Sequence, residues 1–441
     1  MALKLKEMGF KNLYCLKGGY REWVKAQWPV EAVGGNVKKE CITCHNDVTP
    51  GIVSDWKVSK HAQHEVTCSV CHGDHHASSV DASKVLPINP DRCGMCHQIQ
   101  ADQFKHGKHS LAWSTLKAMP TAHWQTLARM EGVKGCESCH RLGYKTEAEI
   151  KALKQSGAGF GYVSCDVCHT RHTFSKKEAQ QPQACQTCHM GFDHPQYEMW
   201  SASKHGVRYL LKQNGILPES ATAPTCQTCH MQEGNHAVRT AWGFLAVRLP
   251  MPGDPKWAEA RTVILQALGV LDPKGKPTAR LDLVGKADIV RLTQEDWLGE
   301  RIKMIKTCNT CHSANFVLTE LDKGDQMIKR ADILLAEGIG VVAGLYKDKV
   351  LKQPASYAHP FPDFLSFHDA PTTIDLKLWR MFMEYRMRAF QGVFHANPVY
   401  AQWYGWSEMQ QSLTELKEMA AELRRKTGQA KKALPRNPQS N

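Results

Sequence analysis

The sequence lacks any continuous apolar stretch of about 18 residues, which is the length that a helix needs to cross a membrane. We therefore predict no membrane span. The N-terminal segment MALKLKEMGFKNLYCLKGG also lacks the apolar core and the small-residue cleavage site of a secretory signal peptide. The formal net charge is +13, but no basic segment interleaved with aromatic residues stands out, so nucleic-acid binding is not expected.

Cysteine, by contrast, is abundant and regularly placed. All but one of the 17 cysteines fall into eight Cys-x-x-Cys pairs, and each pair is followed at once by a histidine. The pairs are Cys41 and Cys44, Cys68 and Cys71, Cys93 and Cys96, Cys136 and Cys139, Cys165 and Cys168, Cys185 and Cys188, Cys226 and Cys229, and Cys308 and Cys311. The histidines that follow them are His45, His72, His97, His140, His169, His189, His230 and His312.

The histidine that completes each motif indicates the chemistry. Cys-x-x-Cys alone fits a zinc ribbon or a redox dithiol, but neither of these needs a histidine directly after the second cysteine. A c-type haem does, because the two thiols bond to its vinyl groups and the adjacent histidine binds the iron. The sequence therefore predicts eight covalently attached haem c groups.

Eight haems change the charge balance and the expected location of the protein. Each haem carries two propionates, so eight haems add about −16 and ferric iron returns about +8. The basic side chains then largely compensate the charge of their own cofactors. Haem c is attached outside the cytoplasm, so we expect a periplasmic or otherwise extracytoplasmic protein, whose true start lies upstream or whose export signal is missing from this sequence.

The chain is predicted to have three parts. Residues 1–33 resemble the last strand, loop and helix of a rhodanese domain in the segment MGFKNLYCLKGGYREWVKAQWPVE. The nucleophilic cysteine loop of that family is absent from the segment, and Cys15 lies on the predicted strand, so sulfur transfer is not expected. Residues 37–428 carry the haem motifs, and residues 429–441 form a tail that we expect to be mobile.

The fold class is predicted to be mainly α, with a core packed around haems and long helices near the C-terminus. Seven motifs crowd into residues 37–236 with little periodicity between them, which is typical of short helices and loops wrapped around porphyrins. Residues 376–390 read as a helix. Ser407 and Gln410 read as a capping box that opens another helix. An apolar stripe follows it and consists of Leu413, Leu416, Met419, Ala420 and Leu423.

Histidines outside the motifs are candidates for the second axial ligand of each haem. The chain has 22 histidines, so fourteen remain once each motif has used one. Those near the motifs are His61, His75 or His76, His109, His172, His194 and His205; the others considered are His123, His236, His359, His368 and His395. The count alone permits two arrangements. Eight six-coordinate haems would form a pure electron conduit, whereas one haem with a vacant side could bind a small substrate.

The order of motifs resembles the hydroxylamine oxidoreductase family of octahaem cytochromes c over roughly residues 37–428. The segments that carry this resemblance are GCESCHRLG, GYVSCDVCHTRHTFSKKEAQQPQACQTCHMGFDHPQYEMWSASKHG and CQTCHMQEGNHAVRTAWGF. The resemblance implies a mostly helical subunit that forms a homotrimer, with its haems in a connected network. It also implies that the fourth haem, on Cys136 and Cys139 with His140 as proximal ligand, is catalytic. Tetrathionate reductases are a weaker match, because they typically use lysine in place of one motif histidine.

The resemblance also suggests what surrounds the catalytic haem. Family oxidases place an Asp-His pair over it, in the stretch after the seventh motif, where this chain has Asn235 and His236. Asparagine cannot accept a proton as a carboxylate does. In those oxidases a tyrosine from a neighbouring subunit is bonded to the haem, and the candidates here are Tyr400 and Tyr404. We therefore favour reduction of nitrite or hydroxylamine to ammonium over hydroxylamine oxidation, with a cytochrome or a quinol-linked protein as redox partner.

Overall fold

The computed structural model describes residues 39–114, 137–155, 163–243, 252–281, 293–354, 362–365 and 370–433. These residues are helical, and the only pairing of extended backbone among them is an isolated antiparallel bridge between Leu271 and Pro277. The mainly α fold is thereby confirmed. The predicted rhodanese-like segment at 1–33 lies outside the described residues, as do Cys136, His123, His359 and His368.

The helices are short in the motif-rich part of the chain and long after it. The short ones are α1 (Lys39–Val48), α2 (Pro50–Val58), α3 (Lys60–Gln63), α4 (Cys68–His72), α5 (Pro90–Gly94), α6 (Gln98–Lys105), α7 (Glu137–His140), α8 (Glu147–Gln155), α9 (Lys176–Ala179), α10 (Gln183–Gln186), α11 (Gln196–Ser201), α12 (Lys204–Gln213) and α13 (Cys226–His230). Single 3₁₀ turns cover Ser79–Lys84, His109–Leu111, Cys165–Val167 and Gln232–Gly234.

The later helices form the C-terminal part. They are α14 (Pro255–Ala267), α15 (Gln294–Cys308), α16 (Ala314–Lys347), α17 (Thr373–Arg380), α18 (Met387–Phe394), α19 (Pro398–Tyr400) and α20 (Ser407–Ala433). Two π-helical turns, Met381–Arg386 and Ala401–Trp406, join α17 to α18 and α19 to α20. Among the described residues no helix is both long and apolar enough to span a membrane.

The chain separates into two compact units. The first consists of residues up to Leu86 together with Arg171–Phe174, and the second of Pro87–Thr170 and Ser175 onward. In the first unit, α4 is a single haem motif; in the second, α13 is another. One helical turn brings positions i, i+3 and i+4 to the same side, so each motif presents its two thiols and its imidazole together.

The apolar core of the second unit lies between α14, α16, α17 and α20. Ile264, Leu335, Ile339 and Leu378 are completely buried in it. The predicted stripe of α20 contributes Leu413, Leu416 and Ala420 as buried residues, with Met419 and Leu423 packed at the edge. The prediction of long C-terminal helices is therefore confirmed.

The predicted start of the last helix is wrong. Ser407 has φ −60° and ψ −41°, which is helical backbone and not the extended conformation of an N-cap. The helix is instead continuous with the preceding π turn, where the chain makes one extra residue per turn. At its other end α20 continues to Ala433, which is past the predicted boundary at 428.

Close backbone contact at Gly405 fixes the π turn that contains Tyr404 and directly follows Tyr400. A Cβ at this position would lie 2.3 Å from the Ala389 backbone nitrogen and 2.5 Å from its Cα, so Gly405→Ala requires α18 and the turn to move apart. We expect a loss of about 1–3 kcal/mol of stability, as for other overpacked sites.

Gly340→Ala is the control. It lies in α16 with nothing within 4 Å of the added Cβ, so it should be neutral or stabilising by up to about 1 kcal/mol. Thermal unfolding followed by circular dichroism measures both, and equal effects would contradict the prediction.

Candidate haem sites

Histidine rings lie about 6 Å apart in pairs, each containing one motif histidine. The pairs and their centroid separations are His45 and His76 at 6.2 Å, His72 and His172 at 6.0 Å, His189 and His109 at 6.1 Å, His140 and His194 at 6.3 Å, His169 and His236 at 6.2 Å, His312 and His205 at 6.1 Å, and His230 and His395 at 6.3 Å. An opposing ring is thus established for seven of the motif histidines in the described part of the chain. Five of the six selected distal candidates are among the partners, whereas His61 lies against Phe174 at 5.0 Å.

The separation of these rings tests whether the residues fit a haem. A metal–imidazole bond is about 2 Å long and the ring centroid lies about 1 Å beyond the nitrogen, so two imidazoles on opposite sides of one iron are about 6 Å apart. The observed pairs match that spacing, so the residues fit bis-histidine haem.

Hydrogen bonds at Nδ1 orient several of these rings. The Nδ1–H group of His140 donates to the Ala112 carbonyl at 3.2 Å, and Nδ1 of His45 is hydrogen-bonded to Thr49 Oγ1 at 2.8 Å. The same holds for His76 with Asp81, His189 with Gln196, His236 with Gly234 and His395 with Gln391. With Nδ1 used in this way, Nε2 remains the nitrogen for iron, which is the usual second-shell arrangement of metal-bound histidine.

Burial favours the neutral form of three motif imidazoles, which is the form that binds a metal. Burial is the largest cause that lowers the pKa of His189 to about 3 and that of His230 to about 4. For His72, burial and the neighbouring His172 lower the pKa to about 4.

The cysteines are also suited to covalent attachment. Every described cysteine is free of disulfide bonding. No group of three or more His, Cys, Asp or Glu side chains in the described part of the chain has the arrangement of a metal site. Cysteines of different motifs lie together instead. Cys139 is within hydrogen-bonding reach of Cys188, and Cys185 of Cys226.

These contacts make the sixth motif a neighbour of both the fourth and the seventh. The third and fifth motifs meet in the same way, since Cys165 is hydrogen-bonded to Cys93. Cofactors attached at adjacent cysteines are themselves adjacent. The motif order along the chain is therefore not the order of contact, and the fourth motif reaches the seventh through the sixth.

The surroundings of His140 differ from those predicted. The ring opposite it is His194, whose Nδ1 lies 3.2 Å from Oδ2 of the preceding Asp193. Burial raises the pKa of the Asp193 carboxyl, but its hydrogen bond and charge interaction with His194 outweigh this, and the pKa lies below its ordinary value. An Asp-His dipeptide therefore lies at the fourth motif. His194 is also 6.1 Å from His189 of the sixth motif.

Asn235 and His236 lie at a different motif. The His236 ring stacks on that of His169, with an interplanar angle of 18°. Its backbone N–H donates to Gln103 Oε1 at 3.0 Å, and Asn235 Oδ1 accepts from the Ala237 N–H at 2.9 Å. This dipeptide thus faces the fifth motif. The Asp-His dipeptide at the fourth motif could have been found in the sequence, because Asp193 and His194 are adjacent in GFDHPQ, just after the sixth motif.

The candidate tyrosines lie on the outer side of the C-terminal helices. The rings of Tyr400 and Tyr404 are 4.8 Å apart. Tyr404 is 56% exposed and the adjacent Trp403 63% exposed. Tyr400 is less exposed, and burial raises the pKa of its phenol.

These features define a multihaem c-type cytochrome. The family model described as "Seven times multi-haem cytochrome CxxCH" matches residues 38–262 and 279–356, and the chain belongs to that family. A curated relative, a probable nitrite reductase-hydroxylamine oxidoreductase fusion protein of Kuenenia stuttgartiensis, is 26% identical over 88% of this chain and 52% of the relative. The chain therefore spans about half the length of that protein.

Two solved structures share the fold. A reducing HAO-like protein complex of Kuenenia stuttgartiensis matches with a TM-score of 0.67 and 24% identity, covering 96% of this chain and 89% of that one. A hypothetical multihaem protein matches with a TM-score of 0.64 and 18% identity, covering 93% and 99%.

Proposed function

We propose that this protein is an extracytoplasmic octahaem oxidoreductase that converts small nitrogen compounds at the haem of the fourth motif. The favoured reaction is reduction of nitrite or hydroxylamine to ammonium. The observation that carries the proposal is the Asp193–His194 pair opposite His140. The seven further motifs hold the haems that bring electrons from a redox partner, which is a cytochrome or a quinol-linked protein.

His140 and the Asp193–His194 pair have different roles at this site: the first would bind the haem iron and the second would handle protons. The haem iron, when bound, supplies a coordination position and electrons. His140 would hold it from the proximal side, with the Ala112 carbonyl fixing its ring. On the opposite side Asp193 accepts the hydrogen bond of His194 Nδ1, which leaves Nε2 to hold a proton and stabilises the imidazolium when the ring is charged. Proton supply matters because reduction of nitrite to ammonium consumes more protons than electrons.

The preference for reduction no longer rests on Asn235, which was the reason that the sequence suggested. Asn235 was the reason to doubt a base for oxidation, but it lies at the fifth motif, and the fourth has a carboxylate in Asp193. Support for reduction comes from the relatives, one named as a nitrite reductase fusion and one titled as a reducing complex. Tyr404 and Trp403 support assembly with further copies of this chain, which we propose to be a homotrimer.

The separation of the His140 and His194 rings favours a second function, which is electron conduction without catalysis. The rings of His140 and His194 are 6.3 Å apart, the same as those of His230 and His395. If His194 binds the fourth iron, the haem of the fourth motif has two histidine ligands like those of the other paired motifs, and the protein is an electron conduit.

The ferric spectrum of the purified holoprotein distinguishes the two functions. We expect one high-spin haem signal that cyanide and hydroxylamine perturb, because an enzyme needs a position for substrate on iron. A spectrum with low-spin haems alone and no response to either ligand would establish the conduit. Direction is then measured by nitrite reduction with reduced viologen beside hydroxylamine oxidation with an artificial acceptor. Faster oxidation, or haem-bearing trimers on a denaturing gel, would contradict reduction.

A further inference from the structure

Two glutamine side chains connect axial histidines of two different motifs. His189 of the sixth motif donates from Nδ1 to Gln196 Oε1 at 3.3 Å. The Gln196 amide nitrogen donates to Gln391 Oε1 at 3.0 Å. Gln391 in turn accepts, at its backbone carbonyl, the Nδ1–H of His395 at 2.8 Å. His395 is the ring opposite His230 of the seventh motif. A chain of three hydrogen bonds therefore runs from one haem site to the next.

The location of this chain gives it a role in electron transfer. Cys185 of the sixth motif and Cys226 of the seventh are in contact, and Cys188 of the sixth contacts Cys139 of the fourth. Electrons moving between the fourth and seventh haems thus pass the sixth. Its potential relative to that of its neighbours decides whether electrons pause there.

Among the Nδ1 partners named above, that of His189 is the one that belongs to a side-chain amide. His140, His236 and His395 donate to backbone carbonyls that helix geometry or the chain path holds in place. His189 donates to a side-chain amide, whose rotation is restricted by its second hydrogen-bond partner. That partner is Gln391, a residue 7% exposed on α18. The Gln391 side chain thus fixes the acceptor of one axial histidine, while its backbone fixes another.

We propose that Gln196 and Gln391 are positioning residues that set the reduction potential of the sixth haem and tie it to the seventh. A hydrogen bond from Nδ1 makes the coordinating nitrogen a stronger donor and stabilises ferric iron. The bond to Gln196 therefore lowers the potential of the sixth haem. This inference rests on haem attachment alone, not on the reaction at His140.

The test is a potentiometric titration of the holoprotein followed by electron paramagnetic resonance. Gln196→Leu removes the acceptor and is expected to shift one low-spin haem to higher potential. Gln391→Leu leaves the His189 bond but frees the Gln196 amide, so a smaller shift of the same haem in the same direction is expected. The double variant should shift no further than Gln196→Leu, because the two residues act through one chain of bonds.

Two further variants make the result specific. His109 is the ring opposite His189, so the low-spin signal lost in His109→Ala identifies the sixth haem. Gln266→Leu is the matched control: Gln266 is 8% exposed and its amide donates to the Asp272 carbonyl, away from the axial histidines. It should shift no haem. Unchanged potentials in Gln196→Leu, additive shifts in the double variant, or equal shifts of several haems would overturn the proposal. If the unaltered protein turned over neither nitrite nor hydroxylamine, that result would contradict the proposed reaction but not this proposal about the sixth haem.

Discussion

His194→Ala is expected to lower turnover of nitrite or hydroxylamine by about 10²- to 10⁴-fold, the range over which a positioned acid or base contributes to catalysis. The ring of His194 lies opposite His140 and is held by the Asp193 carboxylate. Removing it takes away the proton carrier while leaving the attachment of the haem intact. Asp193→Asn should cause a smaller loss, because an amide oxygen still orients the ring but does not stabilise its charged form.

The matched variant is His236→Ala, which tests the assignment that the sequence suggested. His236 faces His169, so its loss should convert one low-spin haem to high spin and leave ligand binding at the fourth haem unchanged. His194→Ala should instead keep every low-spin signal and alter cyanide binding at the high-spin haem. A severe loss of ligand binding in His236→Ala with little effect in His194→Ala would favour Asn235 and His236. A new high-spin signal in His194→Ala would favour the conduit.

Asp332→Asn is expected to destabilise the C-terminal helices by about 3–5 kcal/mol, as when one partner of a buried ion pair is removed. Asp332, Arg261 and Arg386 are all completely buried. One carboxylate oxygen accepts from Arg261 Nη2 at 2.6 Å and from Trp257 Nε1 at 2.7 Å, and the other from Arg386 Nη2 at 2.6 Å. Without the carboxylate, two guanidinium groups remain buried with no counter-charge.

The comparison for Asp332 is a surface pair on the same helix. Glu337 pairs with Lys417 at 2.6 Å, but both side chains are about half exposed. Glu337→Gln should therefore change stability by at most about 1 kcal/mol. Thermal and urea unfolding of the holoprotein, followed by circular dichroism, measure both variants. Similar midpoints for the two would show that the buried cluster contributes no more than a surface pair.

Acidic pH should reduce the stabilisation that Asp332 provides together with Arg261 and Arg386. Burial raises the pKa of Asp332, but the two arginines outweigh this and hold the pKa below its ordinary value. A carboxyl whose pKa is lower in the folded state stabilises the protein above its unfolded pKa. That contribution is lost as pH falls through the folded pKa, so Asp332→Asn should narrow the difference in stability between neutral and acidic solution.

Covalent haem attachment could be predicted from the sequence because the residues that form each motif are close together along the chain. Cysteine at i and i+3 with histidine at i+4 lie on one side of a helical turn, as α4 and α13 demonstrate. The apolar stripe of α20 was readable for the same reason, since helix periodicity is local. The start of that helix was not, because the extra residue of the π turn at Ala401–Trp406 depends on packing against Ala389.

Distal histidines were partly predictable from their distance to a motif along the chain. That rule selected His76 and His172 but passed over His395, which lies far in sequence from His230 and opposite it in space. It also could not separate the two dipeptides at 193–194 and 235–236. Both follow a motif closely, and only the path of the chain decides which motif each one faces.

The sequence by itself determined the cofactor, its mode of attachment and the helical class, because each depends on residues within a few positions of one another. The tertiary structure alone decided which histidines face each other, which motifs are neighbours and which acid lies at the fourth haem. Those relations join residues as distant as Gln196 and Gln391. They depend on how helices pack, and spacing along the chain carries no record of that packing.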